Sequence, residues 1–316
     1  MVPVIGTCLM AALLAAPADP ELENGETGRR LGGHDFILTD VVPDPFVTTQ
    51  FRSSTGLGLV ALDAGAAMVQ AQRAIGDNSS GHMQVAWFEQ QIGFQAAVLP
   101  FLAVRVNVAG LVGSGVDATS ALVFGVKGGY QFDGGATASL RLGPVCLGAS
   151  FDLAYERDFV LSPLLAIAQA MEAVKNSQVP SISKLFNDSS DIRVQPGLRA
   201  AVGVNRTFGL FANAGLDYDG AVSGGVPSAT TVQFGAGLSI DLNPGLSVPI
   251  GFLVAYEYET AVDSSSIDRH TVSAGIFYTG RPHLQLGLEA QGAFYPVSGF
   301  DSVSQGLGEV TVRYFW

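Results

Sequence analysis

The C-terminal segment, residues 303–316, alternates between two kinds of side chain. Counting back from the end in steps of two, as far as Gly308, gives only apolar, aromatic or glycine residues, among them Trp316 and Tyr314. The intervening positions are mostly polar or charged and include Arg313 and Glu309. Alternate side chains of a β-strand point to opposite faces. The segment therefore predicts a strand with one apolar face and one polar face.

The same alternation recurs upstream, and no apolar face in the set carries a charge. A soluble β-sandwich also alternates, but here the polar faces are rich in Gly, Ser, Asn, Gln and paired charges. The segments are also longer than the ~5–6 residues usual for strands of soluble sheets, and fit tilted strands that cross a bilayer. The other segments are residues 145–156, 191–204, 207–218, 230–242, 246–260, 269–280 and 283–295.

Composition agrees with this pattern. Charged residues make up 14% of the chain, against about 25% in typical soluble domains. Outside the N-terminus, no stretch reaches the ~18–20 uninterrupted apolar residues of a membrane helix. The apolar residues are therefore spread at short period. The net charge of −12 makes a nucleic-acid partner unexpected, because such partners require a basic surface.

Short and long connections alternate between the predicted strands. Residues 205–206, 243–245 and 281–282 carry Asn, Pro or Gly and predict tight turns. The intervening links, residues 219–229, 261–268 and 297–302, are longer, and residues 99–100 and 143–144 continue the short series upstream. Transmembrane β-barrels have this asymmetry, with short periplasmic turns and longer external loops.

The C-terminal segment resembles the closing strand of Gram-negative outer-membrane β-barrels. In those porin-like proteins, a terminal aromatic residue preceded by apolar residues at alternate positions is the assembly signal. The resemblance implies location in the cell outer membrane, contact with outer-membrane lipid and insertion by the barrel-assembly machinery. It singles out no specific family. The matching residues are Val310, Val312, Tyr314 and Trp316.

The predicted fold is all-β, a transmembrane antiparallel up-and-down barrel. Twelve strands result when residues 114–135 form a loop, which also places both termini in the periplasm. Splitting that stretch and recruiting residues 36–42 would give fourteen. In the first half, residues 50–62, 88–98 and 101–109 are the predicted strands, although Gln90 then faces lipid.

Residues 157–190 break the two-residue period. Ser162 and Pro163 suit the start of a helix, and a helical stripe follows through Leu164, Ile167, Met171 and Val174. The prediction is a long external loop with a short helix, which either narrows the lumen or covers its mouth, in preference to serving as a partner-binding arm.

The chain divides into three parts. Residues 1–18 read as a signal peptide, with an apolar core at 8–16 and small residues at Ala16 and Ala18. Lys and Arg are missing from its start, so either the signal is atypical or the start codon is misplaced. Residues 19–49 form a leader that can act as a periplasmic plug, and residues 50–316 form the barrel. Removal of Cys8 with the signal leaves Cys146 as a single thiol and no internal disulfide.

Charged and amide side chains on the polar faces are the predicted pore-lining residues. Basic residues concentrate on early strands and acidic ones on later strands, with Arg313 and Asp152 as exceptions. Opposed arcs of charge would set ion preference in a pore, whereas salt-bridge ladders would simply fill a narrow lumen. The candidates are Arg105, Arg141, Arg193, Arg199, Asp152, Asp217, Glu257, Glu289, Gln291, Glu309 and Arg313.

The expected function is a passive, porin-like channel for small polar solutes. The alternatives are a transporter of hydrophobic compounds with an N-terminal plug, a structural barrel, and a lipid-modifying barrel enzyme. An enzyme is not expected, because His270 and Ser273 fall on opposite strand faces and His34, His82 and His283 have no evident partner. No cofactor or metal is expected either, and the oligomeric state is left open.

Overall fold

Twelve antiparallel strands close into a barrel in the computed structural model, which describes residues 28–64, 82–116, 121, 125–161, 186–223, 229–262, 268–295 and 300–316. Two shorter strands, β1 (Arg30–Leu31) and β2 (His34–Asp35), form a hairpin that precedes the barrel. The barrel strands are β3 (Gln50–Ala64), β4 (His82–Leu99), β5 (Leu102–Gly115), β6 (Val126–Leu142), β7 (Val145–Leu161), β8 (Phe186–Gly203), β9 (Phe208–Ser223), β10 (Ala229–Asp241), β11 (Ile250–Ala261), β12 (Arg269–Arg281), β13 (Leu284–Tyr295) and β14 (Phe300–Phe315).

Closure joins the last strand to the first barrel strand. β14 pairs with β13 on one side and with β3 on the other, where Tyr314 lies opposite Phe51. No barrel strand is then left with an unpaired edge. The prediction of twelve strands is confirmed, and residues 36–42 do not form an additional barrel strand.

The barrel is apolar outside and polar inside. On β13, Leu286 and Leu288 are 44% and 65% exposed, whereas Gln285 and Glu289 are 2% and 4% exposed. Large exposed apolar side chains recur on the outer face of all twelve strands. This arrangement inverts that of a soluble sheet and suits a lipid-facing surface.

No helix among the described residues is long and apolar enough to cross a membrane.

The two ends of the barrel differ in their connections. Links of two to four residues at 100–101, 143–144, 204–207 and 282–283 define the turn end, together with an eight-residue link at 242–249 that contains α1 (Asn243–Leu246), a single helical turn. We call the opposite ends of the strands the loop end. The alternation of short and longer connections agrees with the pattern of transmembrane β-barrels.

Two predicted loops are shorter than expected. The prediction that residues 114–135 are loop was wrong for 126–135, which belong to β6 and pair with both β5 and β7. The connection predicted at 157–190 is shorter at both ends than expected, because β7 continues to Leu161 and β8 begins at Phe186. The predicted helix at 162–174 lies outside the described residues, as does the predicted signal peptide.

Gln90 lies on the outer face, where the alternation of β4 places it. The Thr55 hydroxyl on the neighbouring strand donates to Gln90 Oε1 at 2.6 Å, and Gln90 Nε2 donates to the Ser54 carbonyl at 2.9 Å. These bonds satisfy the amide within the sheet, which lowers the cost of a polar group facing lipid.

Aromatic side chains mark the turn end of the outer face. The rings of Trp316 and Tyr314 are 5.2 Å apart, and Phe94 lies 6.0 Å from Trp316. The backbone N–H of Trp316 also donates to the Thr49 carbonyl at 3.0 Å. The terminal aromatic residue therefore sits where an interfacial girdle is expected.

Candidate functional site in the barrel lumen

Residues 28–49 lie inside the barrel at its turn end, and we call them the inner segment. The segment begins with the β1–β2 hairpin, whose turn residues Gly32 and Gly33 both have positive φ. The Arg29 guanidinium donates to the Pro282 carbonyl at 3.0 Å, at one of the tight turns. A Cβ at Gly203 would lie only 1.9 Å from the Leu31 carbonyl oxygen. The absent side chain there lets the hairpin approach the wall.

Apolar packing anchors the inner segment. The Phe36 and Phe46 rings lie 5.0 Å apart, and both side chains are almost fully buried. Inward-facing residues of the wall, including Phe211 and Phe277, complete the cluster. The only apolar core among the described residues therefore lies between the segment and the wall, in contrast to the polar lumen beyond it. Its members are Leu31, Phe36, Ile37, Leu38, Val41, Val42, Phe46, Cys146, Ala201, Phe211, Leu253, Ala255, Phe277 and Phe315.

Buried hydrogen bonds add to this anchor. His34 Nε2 lies 2.9 Å from Ser239 Oγ, which also accepts from the Ile37 N–H at 2.9 Å. The Gln285 side chain bonds to both the N–H and the carbonyl of Leu38, at 3.0 and 2.8 Å. His34 and Ser239 are fully buried, so this pair holds the segment in place and is not accessible to a substrate.

Asp40 of the inner segment is bound by two arginines of the wall. Arg52 on β3 and Arg313 on β14 both donate to its Oδ1. Burial by itself raises the pKa of Asp40, but the Arg313 and Arg52 guanidinium groups outweigh it, so the pKa lies below its ordinary value. Thr39 next to it donates to Glu289 at 2.6 Å. Asp40 is therefore a charged link between segment and wall.

A second carboxylate shared by two arginines lies on the wall itself. Asp152 on β7 contacts Arg105 at 2.7 Å and Arg199 at 3.0 Å. Arg199 donates further to Thr137 Oγ1 and to the Asp44 carbonyl, both at 3.1 Å. Buried charges need such partners, because an unpaired charge in a low-dielectric site is very costly.

Acidic side chains without a short ion pair to an arginine face the same space. Glu289 and Glu309 are direct register partners on β13 and β14, and Gln291 donates to Glu309 at 3.0 Å. Nearer the loop end, Asp217 accepts from Gln195 at 2.8 Å, and Arg193 pairs with Glu156 at 2.6 Å. The wall therefore combines salt-bridged and hydrogen-bonded carboxylates.

A cavity of about 440 Å³ occupies the lumen between the inner segment and the loop end. Thr39, Asp40, Val41, Pro43 and Asp44 supply its wall on the segment side. Most of the remaining lining is polar or charged, and its strand residues come from β3 to β6, β7, β8 and β10 to β14. Its size corresponds to about fifteen water molecules, given about 30 Å³ for a water in the liquid, or to one small solute.

The predicted pore-lining residues all lie on the inner face, but the structure divides them. Arg141 lies beneath the inner segment, near the Arg30 carbonyl, and Glu289 is covered by Thr39. Arg193 and Asp217 lie towards the loop end. The others line the cavity, namely Arg105, Asp152, Arg199, Glu257, Gln291, Glu309 and Arg313.

Several of the predicted basic residues form local ion pairs with carboxylates. Arg105 and Arg199 both share Asp152, and Arg193 has its own carboxylate partners. Sequence reasoning also missed Asp40 and Arg52. Arg52 could have been found, since it follows the lipid-facing Phe51 in a predicted strand, whereas Asp40 has no periodic pattern around it.

The other candidate chemistry is sparse. The described residues contain no group of three or more His, Cys, Asp or Glu side chains that could hold a metal ion. His270 faces outward and contacts Tyr256 at 2.8 Å, while Ser273 faces the lumen.

Two solved structures share this architecture. An outer membrane channel from Pseudomonas putida F1 is 12% identical with a TM-score of 0.51, over 89% of this chain and 99% of that chain. The translocator domain of the autotransporter NalP from Neisseria meningitidis is 11% identical with a TM-score of 0.50, over 86% of this chain and 90% of that chain. At such identities the likeness shows the fold alone. No family model matches the sequence, and no curated protein matches it.

The closed twelve-strand barrel, the lipid-facing apolar surface and the aromatic turn end agree with these likenesses. The chain therefore has the fold of outer-membrane β-barrel proteins.

Proposed function

We propose that the chain is a passive channel for small polar solutes. The permeation path runs from the loop end through the polar cavity and past the inner segment. The observation that carries this proposal is the cavity itself, about 440 Å³ of space with a polar wall inside a closed barrel.

The lining suits polar solutes for a physical reason. A solute that enters a narrow lumen loses water, and the wall must replace those hydrogen bonds. Amide side chains such as Gln91, Gln131 and Gln233 line the cavity beside the charged groups. Amides both donate and accept, so the wall offers partners to neutral polar molecules as well as to ions.

The inner segment is the gate of the proposed channel. It occupies the turn end through its apolar cluster and through contacts to several strands. Solute passage therefore requires part of the segment to move.

Single-channel recording in planar bilayers tests the proposal, and the chain offers a lock for the gate. The Cys146 thiol lies 3.8 Å from the Pro45 carbonyl oxygen, so Pro45→Cys places a second thiol on the segment beside it. We expect conductance from the unmodified chain, reduced conductance from oxidised Pro45→Cys, and recovery after reduction. Pro45→Cys combined with Cys146→Ser is the matched control and should not respond to oxidant.

Failure of the unmodified chain and of reduced Pro45→Cys to conduct would contradict the channel proposal. A conductance that oxidation leaves unchanged, with the disulfide confirmed by mass spectrometry, would instead remove the gating role from the inner segment.

One observation favours a transporter of hydrophobic compounds as the second candidate. The inner segment occupies the turn end of the lumen and carries apolar side chains such as Phe36 and Phe46. Those side chains are buried against the wall, however, and the cavity beyond them is polar. Liposome swelling with sugars, compared with uptake of an aromatic hydrocarbon by the same vesicles, separates the two candidates.

A further inference from the structure

We propose that Arg52 and Arg313 form a binding site for a carboxylate, which Asp40 of the inner segment occupies in this structure and which a small carboxylate solute takes over when the channel opens. The inference rests on the proposed function, and it names both the class of ligand and the contact that the ligand breaks.

The two arginines form a like-charge pair in the wall. Arg52 and Arg313 are direct register partners on neighbouring strands, and both point into the lumen. Like charges directly opposite one another destabilise a sheet. The two guanidinium groups therefore need an anion between them, and among the described ion pairs the carboxylate bound to either guanidinium belongs to Asp40, which is not part of a barrel strand.

The two carboxylates that are shared by a pair of arginines differ in where their backbone lies. Asp152, between Arg105 and Arg199, lies on β7 and is fixed by strand pairing on both sides. Asp40 lies outside the barrel strands. Of these two shared carboxylates, only Asp40 can leave without opening the sheet.

The Asp40 contact borders the cavity. Asp40, Arg52 and Arg313 all line it, and the Asp40 side chain is 19% accessible. A solute in the cavity can therefore reach the arginines beside the carboxylate that it replaces.

The geometry favours a carboxylate over a simple halide. Both guanidinium groups donate to one oxygen of Asp40, Oδ1, and the second oxygen of a bound carboxylate can accept further N–H donors of the arginine forks, which a halide lacks the atom to do. Asp40 shows that a carboxylate fits between these particular side chains. The solute must also be small, because the cavity measures only about 440 Å³.

Replacement of the Asp40 carboxylate by a solute carboxylate would free only part of the inner segment. Residues 39–44 include the cavity-facing positions, and their charged link to the wall is Asp40. Val41 and Val42 would leave the apolar cluster with them, whereas Phe36, Ile37 and Phe46 would stay in it. The solute thus competes with a contact that holds the gate closed, and the larger part of the anchor stays in place.

The test compares open probability of the full chain in sodium chloride and in sodium acetate of equal ionic strength. Open probability is the readout because acetate and chloride differ in mobility, which alters current amplitude. We expect acetate to raise the open probability of the unmodified chain with saturation. Asp40→Asn should raise the open probability in chloride by roughly tenfold, because it removes a charge-assisted contact that only the closed state makes. It should also abolish the acetate response.

Asp152→Asn is the matched control, because it removes the carboxylate of the wall-fixed cluster. It should keep the acetate response. An unmodified chain that does not respond to acetate, or an Asp40→Asn variant that still responds fully, would overturn the inference.

Thermal unfolding in detergent gives a readout that does not require conduction. Acetate should raise the unfolding temperature of Asp40→Asn more than that of the unmodified chain, because the vacated site binds it in the folded state. A rise in unfolding temperature with acetate, in a protein that never conducts, would support the carboxylate site and refute the channel. A protein that conducts, but whose open probability and unfolding temperature do not depend on acetate, would refute the carboxylate site alone.

Discussion

At the scale of single residues, position along a strand decides which environment a side chain meets. Leu286 faces outward on β13, and Gln291 faces the lumen, where it donates to Glu309. The two positions share a strand, so local backbone structure is held constant. The cost of a charge at each should therefore report the environment.

Leu286→Arg should prevent normal insertion, while Gln291→Arg should be tolerated. A charge facing lipid costs about 2–4 kcal/mol at the bilayer midplane and less towards the interface, on whose side Leu286 lies, whereas a lumen position costs far less. Folded protein is measured by its heat-dependent shift on an SDS gel. Equal folding of the two variants would refute the facing assignment.

The terminal aromatic residue offers a second test at this scale. Trp316 is exposed on the outer face beside Phe94 and Tyr314. If it acts as an assembly signal, Trp316→Ala should reduce the amount of folded barrel in the outer membrane several-fold, and Trp316→Phe should preserve it. Refolding of both variants in detergent is the control, because an assembly signal should matter in cells and much less in vitro. A comparable loss in detergent would point to packing instead.

At the scale of elements, the two-residue period identified the strands wherever both faces carried distinct side chains. It failed in β6, where Gly128, Gly129, Gly134 and Gly135 remove the contrast between the faces. A glycine has no side chain to place on either face, so residues 126–135 looked like loop. Their strand pairing is supplied by β5 and β7, which the local pattern does not contain.

The apolar cluster between the inner segment and the barrel wall anchors the inner segment. Phe36→Ala removes a fully buried ring from that cluster, which typically costs about 3–5 kcal/mol. We expect faster hydrogen exchange at backbone amides of residues 34–42, with the barrel strands still protected. Phe88→Ala, at a half-exposed position of the outer face, is the control and should leave that exchange unchanged. Unchanged exchange in Phe36→Ala would mean that polar contacts alone hold the segment.

At the scale of the whole molecule, alternation predicted the barrel and its facing, but it could not predict what fills the lumen. Asp40 meets Arg52 across 12 residues and Arg313 across 273 residues. Those contacts arise only when β14 pairs with β3 and the inner segment enters the closed barrel. The division of inward charges between paired clusters and cavity wall is likewise a property of the closed ring, since neighbours such as Arg105 and Asp152 lie on non-adjacent strands.

This dependence predicts that one substitution will have opposite effects in two chains. In the full chain Arg52→Gln removes a charge-assisted bond to Asp40 and should destabilise the protein by about 1.5–3 kcal/mol. In a chain that lacks residues 28–49, Arg52 faces Arg313 without Asp40, so Arg52→Gln should relieve about 0.2–1 kcal/mol of repulsion. Thermal unfolding in detergent measures both effects as a double-mutant cycle. The deletion alone should lower the unfolding temperature, because it exposes wall residues such as Phe277, yet it should leave a heat-modifiable barrel. Destabilisation of both chains by Arg52→Gln would show that Asp40 is not the counterion on which this arginine depends.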